Sequence, residues 1–308
     1  MRFVLPLFAR HERPEEAPGI SPDFRRRVRR IEVRARRFVA SRILGDYRSV
    51  FRGRGIEFSE VREYQPGDDV RLIDWNVTAR MGAPYVKKYV EERELTVMLA
   101  LDASASTGVG TQGRSKAAYA AEVAALLAFA AVANNDRAGL LVFTDRIERF
   151  VRPARGPRHA LRIVRDLLAL QAAGQGTDLA RAAAFLARTL RRRSAVFILS
   201  DFFDPGFDDA LRRLAVRHDV IGVSITDPRE LELPDVGLLV ARDAETGART
   251  TIDTSDPEVR RAYAERAREL VERRRRRLAS LGVEEIALRT DRDYVGPIAR
   301  FMRRRARR

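Results

Sequence analysis

Four short, mostly apolar runs constrain the fold more than any other feature of this 308-residue sequence. They lie at Leu95–Leu101, Ala138–Phe143, Ala195–Leu199 and Val220–Ile225. Runs of this length without polar alternation are typical of parallel strands buried on both faces. Helical segments separate them, so we predict an α/β fold with a doubly wound, mostly parallel six-stranded sheet. The alternating segment Ile147–Val151 predicts an antiparallel strand at one edge of this sheet.

Shifts in composition divide the chain into four parts. They are a loose tail, a basic helix with a small β-containing unit, an α/β domain that carries a hairpin insertion, and a basic C-terminal tail. The basic helix is predicted at Asp23–Leu44, where Asp23 is a suitable N-cap and Gly45 a suitable stop signal. The predicted bounds of the four parts are residues 1–22, 23–93, 94–290 with the insertion near 236–253, and 291–308.

The net charge of +16 comes almost entirely from arginine. Arginine runs lie at Arg25–Arg27, Arg273–Arg277 and Arg303–Arg305. Such runs attract nucleic acid, anionic membrane or acidic protein, and they are also common on solvated helix faces. No aromatic residues alternate with the arginines, as a stacking platform for single strands would require. Both interpretations of the charge remain open at this point.

The absence of cysteine excludes disulfides, thiolate catalysis and cysteine-based zinc sites. The N-terminal residues do not form a signal peptide pattern, because their apolar stretch is short and interrupted by Pro6. The best candidate for a membrane span, Ala117–Ala133, contains Glu122 and is predicted to be a packed helix. We therefore expect a cytoplasmic protein. No glycine-rich loop of the Walker type is present, so binding of ATP in that way is not expected.

Polar side chains follow two of the apolar runs. Asp102, Ser104 and Ser106 come after the first run, and Asp201 follows the third. Thr177 lies in a glycine-containing loop just before a predicted helix, where it is a candidate N-cap. The carboxyl ends of parallel strands meet at one edge of a sheet, so these five residues are expected to converge. Their hard oxygen atoms suit Mg²⁺ or a similar cation.

Together these residues resemble the metal-ion-dependent adhesion site of von Willebrand factor type A domains, which has three parts. The matching parts here are the pentad Asp102–Ser106, Thr177 and Asp201. The resemblance implies that Ser104, Ser106 and Thr177 offer oxygen ligands to Mg²⁺, or to Mn²⁺ or Ca²⁺ in its place. It also implies that Asp102 and Asp201 hold the cation, in part through water or by orienting the hydroxyls. An acidic side chain of a client protein would complete the coordination shell. The resemblance therefore implies a protein-binding module and not an enzyme.

The segment before the α/β domain is similar to the hallmark segment of domain-of-unknown-function family 58. The similar residues are Gly45–Gly55, Phe58, Arg62–Tyr64, Gly67–Asp69 and Arg71–Asn76. The whole resemblance covers about Leu44 to Leu288 and implies a bacterial partner or adaptor of a MoxR-type AAA+ ATPase in chaperone-like assembly or maturation. Within this segment Trp75 is predicted to anchor a core, and Asp68, Asp69 and Asp74 either lie exposed or pair with Arg62 or Arg71.

Two other functions remain as alternatives. An aspartate after a first strand can be the nucleophile of a Mg²⁺-dependent phosphoryl-transfer enzyme. The pentad Asp102–Ser106 offers no second carboxylate for that chemistry, and no lysine is evidently positioned for a phosphate. The second alternative is nucleic-acid binding through the arginine runs, which would depend steeply on salt. Asp102 and the hydroxyls could also serve only as ordinary helix caps and dipole partners.

Overall fold

The computed structural model describes residues 57–90, 95–104, 115–170, 174, 176–242 and 249–307, with 26, 29–31 and 33 near the N-terminus. The predicted tail 1–22 and most of the predicted helix Asp23–Leu44 lie outside the described residues, although the few described positions of that helix are helical. The chain divides into two compact units, one formed by Phe51–Leu95 and the other by Met1–Val50 together with Thr96–Arg308.

The larger unit contains a six-stranded sheet. Its strands are β3 (Thr96–Asp102), β4 (Arg137–Phe143), β5 (Ile147–Ala154), β6 (Ala195–Ser200), β7 (Asp219–Thr226) and β10 (Glu284–Arg289). They lie in the order β10-β7-β6-β3-β4-β5, and all neighbours are parallel except β5, which pairs antiparallel with β4. The predicted mostly parallel six-stranded sheet with one antiparallel edge strand is therefore confirmed. β3 and β6 lie at its centre, where every residue of β6 is buried.

Helices flank the sheet. They are α2 (Lys116–Ala133), α3 (Pro157–Leu168), α4 (Leu179–Thr189), α5 (Asp208–Arg217), α6 (Pro257–Ser280) and α7 (Val295–Ala306). Helix α2 is long and apolar enough to cross a membrane by length and composition, with a mean hydropathy of 1.6. Most of its residues are buried inside this unit, where it packs on β3, β4 and α3. It is therefore a core helix of the described fold.

The C-terminal residues differ from the basic tail predicted for 291–308. Helix α7 ends the described chain and buries Ile298, Phe301 and Met302. Its arginines led to the prediction of a tail, but the apolar residues between them recur at helical spacing and form a buried face. Arg305 pairs with Asp219 at 2.8 Å and with Glu284 at 3.2 Å, which ties the end of α7 to the starts of β7 and β10.

An antiparallel hairpin lies between β7 and α6. Its strands are β8 (Leu238–Arg242) and β9 (Arg249–Asp253), and residues 243–248 between them lie outside the described chain. Leu238 and Val240 alternate along β8 and are exposed. A short 3₁₀ turn, Pro228–Glu230, follows β7 directly and is closed by a capping box between Asp227 and Glu230.

In the smaller unit, β1 (Glu57–Glu63) pairs antiparallel with β2 (Tyr85–Val90). Helix α1 (Trp75–Met81) lies between the two strands in the chain. Asp74 caps α1 by accepting hydrogen bonds from two backbone N–H groups, and Gly82 ends the helix with a positive φ of 74°. Asp68 pairs with Arg62 at 2.7 Å, one of the two outcomes expected for it. Trp75 was expected to anchor a core, and this was wrong: it is 69% exposed, because it occupies the first turn of a short helix.

Candidate functional site

Asp102 is the last residue of the central strand β3, and its side chain is almost fully buried, with 1% exposed. Both of its carboxylate oxygens accept hydrogen bonds. Oδ1 accepts from the backbone N–H of Ser104 at 3.0 Å, and Oδ2 accepts from the Ser200 hydroxyl at 2.7 Å. Each carboxylate oxygen has a second lone pair, so this carboxylate retains capacity for a further ligand.

The electrostatic environment of Asp102 disfavours a bare negative charge. Burial raises the pKa of this carboxyl, and the nearby charge of Asp201 raises it further, against the hydrogen bonds from Ser104 and Ser200. Within the described part of the chain no lysine or arginine side chain pairs with Asp102. Two interacting carboxylates with hydroxyls around them are a combination that a divalent cation would stabilise.

Asp201 follows β6 directly and lies beside a buried lysine. Its Oδ2 is 3.2 Å from Lys116 Nζ, and the same ammonium is 2.7 Å from Glu230 Oε1. Only 3% of Lys116 is exposed. Burial alone would lower the pKa of Lys116, but the charges of Asp201 and Glu230 outweigh burial and raise it above its ordinary value. The ammonium is thus charged and bridges two carboxylates.

The loop that contains Thr177 lies against the end of β4, the neighbour of β3. Gly174 donates its N–H to Glu148 Oε1 at 2.8 Å, and Asp178 donates its N–H to the Thr144 carbonyl at 2.9 Å. These contacts bring Thr177 to the carboxyl edge of the sheet, one strand away from Asp102. The N-cap of α4 is Asp178 and not Thr177, as the hydrogen bond from Arg181 N–H at 2.7 Å shows. Thr177 is therefore not used as the expected cap.

Ser106 lies outside the described residues, so the structure gives the positions of Asp102, Ser104, Thr177 and Asp201 alone among the five predicted ligands. Across the described residues there is no group of three or more His, Cys, Asp or Glu side chains that could hold a metal ion by themselves. The candidate site contains two carboxylates, with hydroxyls for its other ligands. This donor set fits a hard cation such as Mg²⁺ and does not fit Zn²⁺ or Cu²⁺.

Two residues of this site were not recognised in the sequence. Ser200 holds Asp102, and Lys116 holds Asp201. A signal existed for each: Ser200 ends a buried strand next to Asp201, and Lys116 is one of three lysines in a chain whose other cationic side chains are arginine or histidine. Ser115 before it caps α2 by accepting from Ala118 N–H at 3.1 Å.

Asp204 adds a further carboxylate near this edge. It accepts a hydrogen bond from Leu179 N–H at 2.8 Å and so fixes the start of α4. Burial raises the pKa of Asp204, and the charges of Asp178 and Asp201 act in the same direction. The charge of Arg277 acts in the opposite direction, so the carboxylates at this edge of the sheet lie among cationic side chains.

Packing uses several of the arginines that suggested a polyanion partner. Arg274 is buried and pairs with Glu285 at 3.0 Å, and its Nη1 lies 3.4 Å from the Asp201 carbonyl oxygen. Arg277 pairs with Asp208 at 2.6 Å and stacks over the ring of Phe207. The run Arg273–Arg277 is thus partly structural, since two of its five side chains stabilise the fold.

The fold and this polar edge define an α/β protein with a doubly wound sheet and an acidic, hydroxyl-lined cluster at the carboxyl ends of its central strands. Residues 60–273 match the family model described as protein of unknown function DUF58. The chain therefore belongs to the DUF58 family.

Relatives of this chain are found in mycobacteria. The uncharacterized proteins Rv1480 of Mycobacterium tuberculosis and Mb1516 of Mycobacterium bovis are each 36% identical to it over 283 residues, which covers 91% of this chain and 89% of the relative. Among solved structures, the conserved hypothetical protein BatB of Bacteroides thetaiotaomicron is similar at 17% identity and a TM-score of 0.45, over 70% of this chain and 100% of that one.

A second similar structure is that of an aerotolerance-related membrane protein from Bacteroides fragilis. It has 17% identity and a TM-score of 0.44, and the match covers 69% of this chain and 98% of that chain.

Proposed function

We propose that this protein is a metal-dependent protein-interaction module with a von Willebrand factor type A-like fold. The observation that carries the proposal is the pair Asp102 and Asp201, whose carboxylates interact at the ends of the two central strands among hydroxyl groups. Asp102, Ser104 and Asp201, together with Thr177 and Ser106, would hold Mg²⁺, or Mn²⁺ or Ca²⁺ in its place.

A cation bound there would supply an electrophilic coordination position for an acidic side chain of a client protein. The chain's own residues would then do three things. Ser200 fixes Oδ2 of Asp102, the Ser104 N–H fixes Oδ1, and burial limits the access of water to both carboxylates. Neutral hydroxyl ligands leave more of the cation's charge for the client than carboxylates would, which favours binding over catalysis.

The partner that we propose is a MoxR-type AAA+ ATPase, with the two proteins acting together in chaperone-like assembly or maturation of a client. Support comes from the resemblance of the segment Gly45–Asn76 to the hallmark of family 58 and from the match to that family. We place this work in the cytoplasm, where ATP is available. One of the similar structures is that of a membrane protein, so fractionation of cells is a direct check of this placement.

The experiment that tests the proposal compares binding to a purified MoxR-type ATPase with Mg²⁺ and with a chelator. Binding by the wild-type chain should need the cation, and Asp102→Ala should abolish it. Asp209→Ala is the matched control, because Asp209 is an exposed carboxylate of α5 that pairs with Arg212 alone among the described residues. Binding that is the same with chelator, and the same in Asp102→Ala, would exclude the metal-dependent mode.

One observation favours the phosphoryl-transfer alternative as a second candidate. A lysine that the sequence pattern did not indicate is present, because Lys116 pairs with Asp201, the second carboxylate of the cluster that contains Asp102. Lys116 is nevertheless buried and already bridges two carboxylates, which leaves little of its charge for a phosphate. Turnover of a generic phosphomonoester with Mg²⁺ by the wild-type chain, lost in Asp102→Ala, would favour the enzyme.

A further inference from the structure

The Lys116 ammonium occupies a position that matters for any cation at this edge. It lies 3.2 Å from Asp201 Oδ2, an oxygen of one of the two candidate carboxylate ligands. A divalent ion bound to Asp201 would lie within a few ångströms of this ammonium, and two cations at that separation in a buried place repel each other strongly. Lys116 and a metal ion bound there would therefore compete for the same carboxylate.

The other end of the lysine bridge leads away from the site. Glu230 accepts from Lys116 through Oε1 at 2.7 Å and from the Asp227 N–H through Oε2 at 3.0 Å. Asp227 is fully buried and accepts from the Thr290 hydroxyl at 2.9 Å. The bridge thus joins the end of β6 to the 3₁₀ turn Pro228–Glu230 after β7 and to the residue that follows β10.

The same turn is linked to helix α6. The Tyr263 hydroxyl donates to the carbonyl oxygen of Arg229 at 3.1 Å, and Arg274, further along the helix, approaches the Asp201 carbonyl oxygen. Asp201 is therefore connected to a surface turn through hydrogen bonds alone. The connection is short and needs no large movement, because the Lys116 ammonium contacts both the Asp201 and the Glu230 carboxylates.

We propose that Lys116 is a built-in competitor of the metal ion, and that occupation of the site is transmitted through it to the turn Pro228–Glu230. The proposal rests on the metal site proposed above. In the metal-free protein Lys116 neutralises Asp201 and keeps the site closed. When a cation binds Asp201, the Lys116 ammonium loses its contact with Asp201 and keeps its contact with Glu230. The hydrogen bonds of the turn Pro228–Glu230 change as a result. Lys116 is thus a positioning residue. It sets the affinity of the site for the cation, and its contacts differ between the metal-free and the metal-bound site.

Two variants with opposite expected effects test this idea by Mg²⁺ titration of the full-length chain in a calorimeter. Lys116→Met removes the competing charge and keeps the length of the side chain, so Mg²⁺ should bind at least about tenfold more tightly. Among the described residues, Glu230→Gln leaves the ammonium with Asp201 as its one carboxylate partner, so Mg²⁺ should bind severalfold more weakly. A purely structural bridge would weaken binding in both variants.

Arg274→Met is the matched control. Arg274 is a buried cation near Asp201, but its guanidinium meets the backbone carbonyl and Glu285 instead of the Asp201 carboxylate. Its loss should destabilise the fold as much as the loss of Lys116, with a smaller gain in Mg²⁺ affinity. An equal gain in both variants would mean a general charge effect and would overturn the specific role of Lys116.

Amide hydrogen exchange supplies a second readout. Addition of Mg²⁺ to the wild-type chain should change exchange at the amides of Glu230 and Leu231, which close the 3₁₀ turn, and the change should be absent in Lys116→Met. If wild type and Lys116→Met both fail to bind Mg²⁺, the metal site itself is wrong, and this proposal falls with it. Binding by the wild type that is unchanged or weaker in Lys116→Met overturns the competition alone.

Discussion

The Ser200 hydroxyl donates to Asp102 Oδ2 at 2.7 Å, and this hydrogen bond joins the ends of the two central strands. The same hydroxyl accepts from Phe202 N–H at 3.2 Å, which shapes the turn that carries Asp201. One serine therefore positions both carboxylates of the candidate site. Phe202 has a positive φ of 60°, so the backbone of this turn is in a conformation that non-glycine residues rarely adopt.

Ser200→Ala should destabilise the chain by about 1–3 kcal/mol, because a buried carboxylate and a buried N–H each lose a partner. Denaturant unfolding measures this change. Ser280→Ala serves as the control: its exposed hydroxyl donates to the carbonyl oxygen of Arg277 within the same helix, and its loss should cost less than about 0.5 kcal/mol. Equal costs for the two variants would contradict the role given to Ser200.

Asp102→Asn should raise the melting temperature of the metal-free chain at neutral pH. Burial raises the pKa of Asp102, so the unfolded state loses its proton at a lower pH than the folded state does. Stability contributed by the protonated form is present below the unfolded value and declines as pH rises through the window between the two. Asparagine removes the cost of burying a negative charge, while its amide oxygen accepts from the Ser104 N–H and its amide N–H donates to the Ser200 hydroxyl. Differential scanning calorimetry with a chelator is the measurement, and a lower melting temperature for the variant would contradict it.

Gly174→Ala should detach the Thr177 loop from the end of β4. A Cβ at Gly174 would collide with Thr144 Oγ1 and Asp145 Oδ1, and overpacking of this kind costs about 1–3 kcal/mol. Gly176→Ala is the matched control, because the nearest atom to its Cβ would be Asp145 Cβ at 3.9 Å. Unfolding curves should separate the two variants, and weaker Mg²⁺ binding should accompany Gly174→Ala alone. Equal stability and equal Mg²⁺ binding of the two variants would mean that the Thr177 loop is not fixed against the end of β4.

His218 should make stability fall as the solution becomes more acidic. Burial lowers its pKa below the ordinary 6.5, and the charges of Arg217 and Arg193 lower it further. Neither ring nitrogen has a hydrogen-bond partner among the described residues. The unfolded chain therefore binds a proton that the folded chain does not, so stability decreases as pH falls through 6.5. His218→Phe should flatten the free energy of unfolding between about pH 7.5 and 5.5. An unchanged slope would contradict this.

Most of the sheet could be predicted from the sequence because the central strands are nearly all apolar, which leaves few alternatives to a parallel strand. The convergence of Asp102 and Asp201 followed from topology, since both end parallel strands that turned out to be neighbours. Lys116 could not be predicted in the same way, because its partners lie 85 and 114 residues further along the chain. Contacts of such separation are set by packing and not by local pattern.

Local patterns failed where two physical preferences competed. Arginine content suggested a tail at 291–308, but Ile298, Phe301 and Met302 bury one face of a helix there. Trp75 suggested a core position, whereas Asp74 makes it the first residue of an exposed helix. Thr177 and Asp178 are both suitable N-caps, and the Asp178 carboxylate caps the helix, so the cap does not use the threonine hydroxyl.

The most direct test of the metal site is calorimetric titration of the full-length chain with Mg²⁺, alongside Asp102→Ala and the control Asp209→Ala. The wild type and the control should bind one Mg²⁺ ion and gain about 2.7 kcal/mol of stability at a hundredfold excess over Kd, while Asp102→Ala should show neither effect. Absence of binding by the wild type, or equal binding by Asp102→Ala, would contradict the proposal.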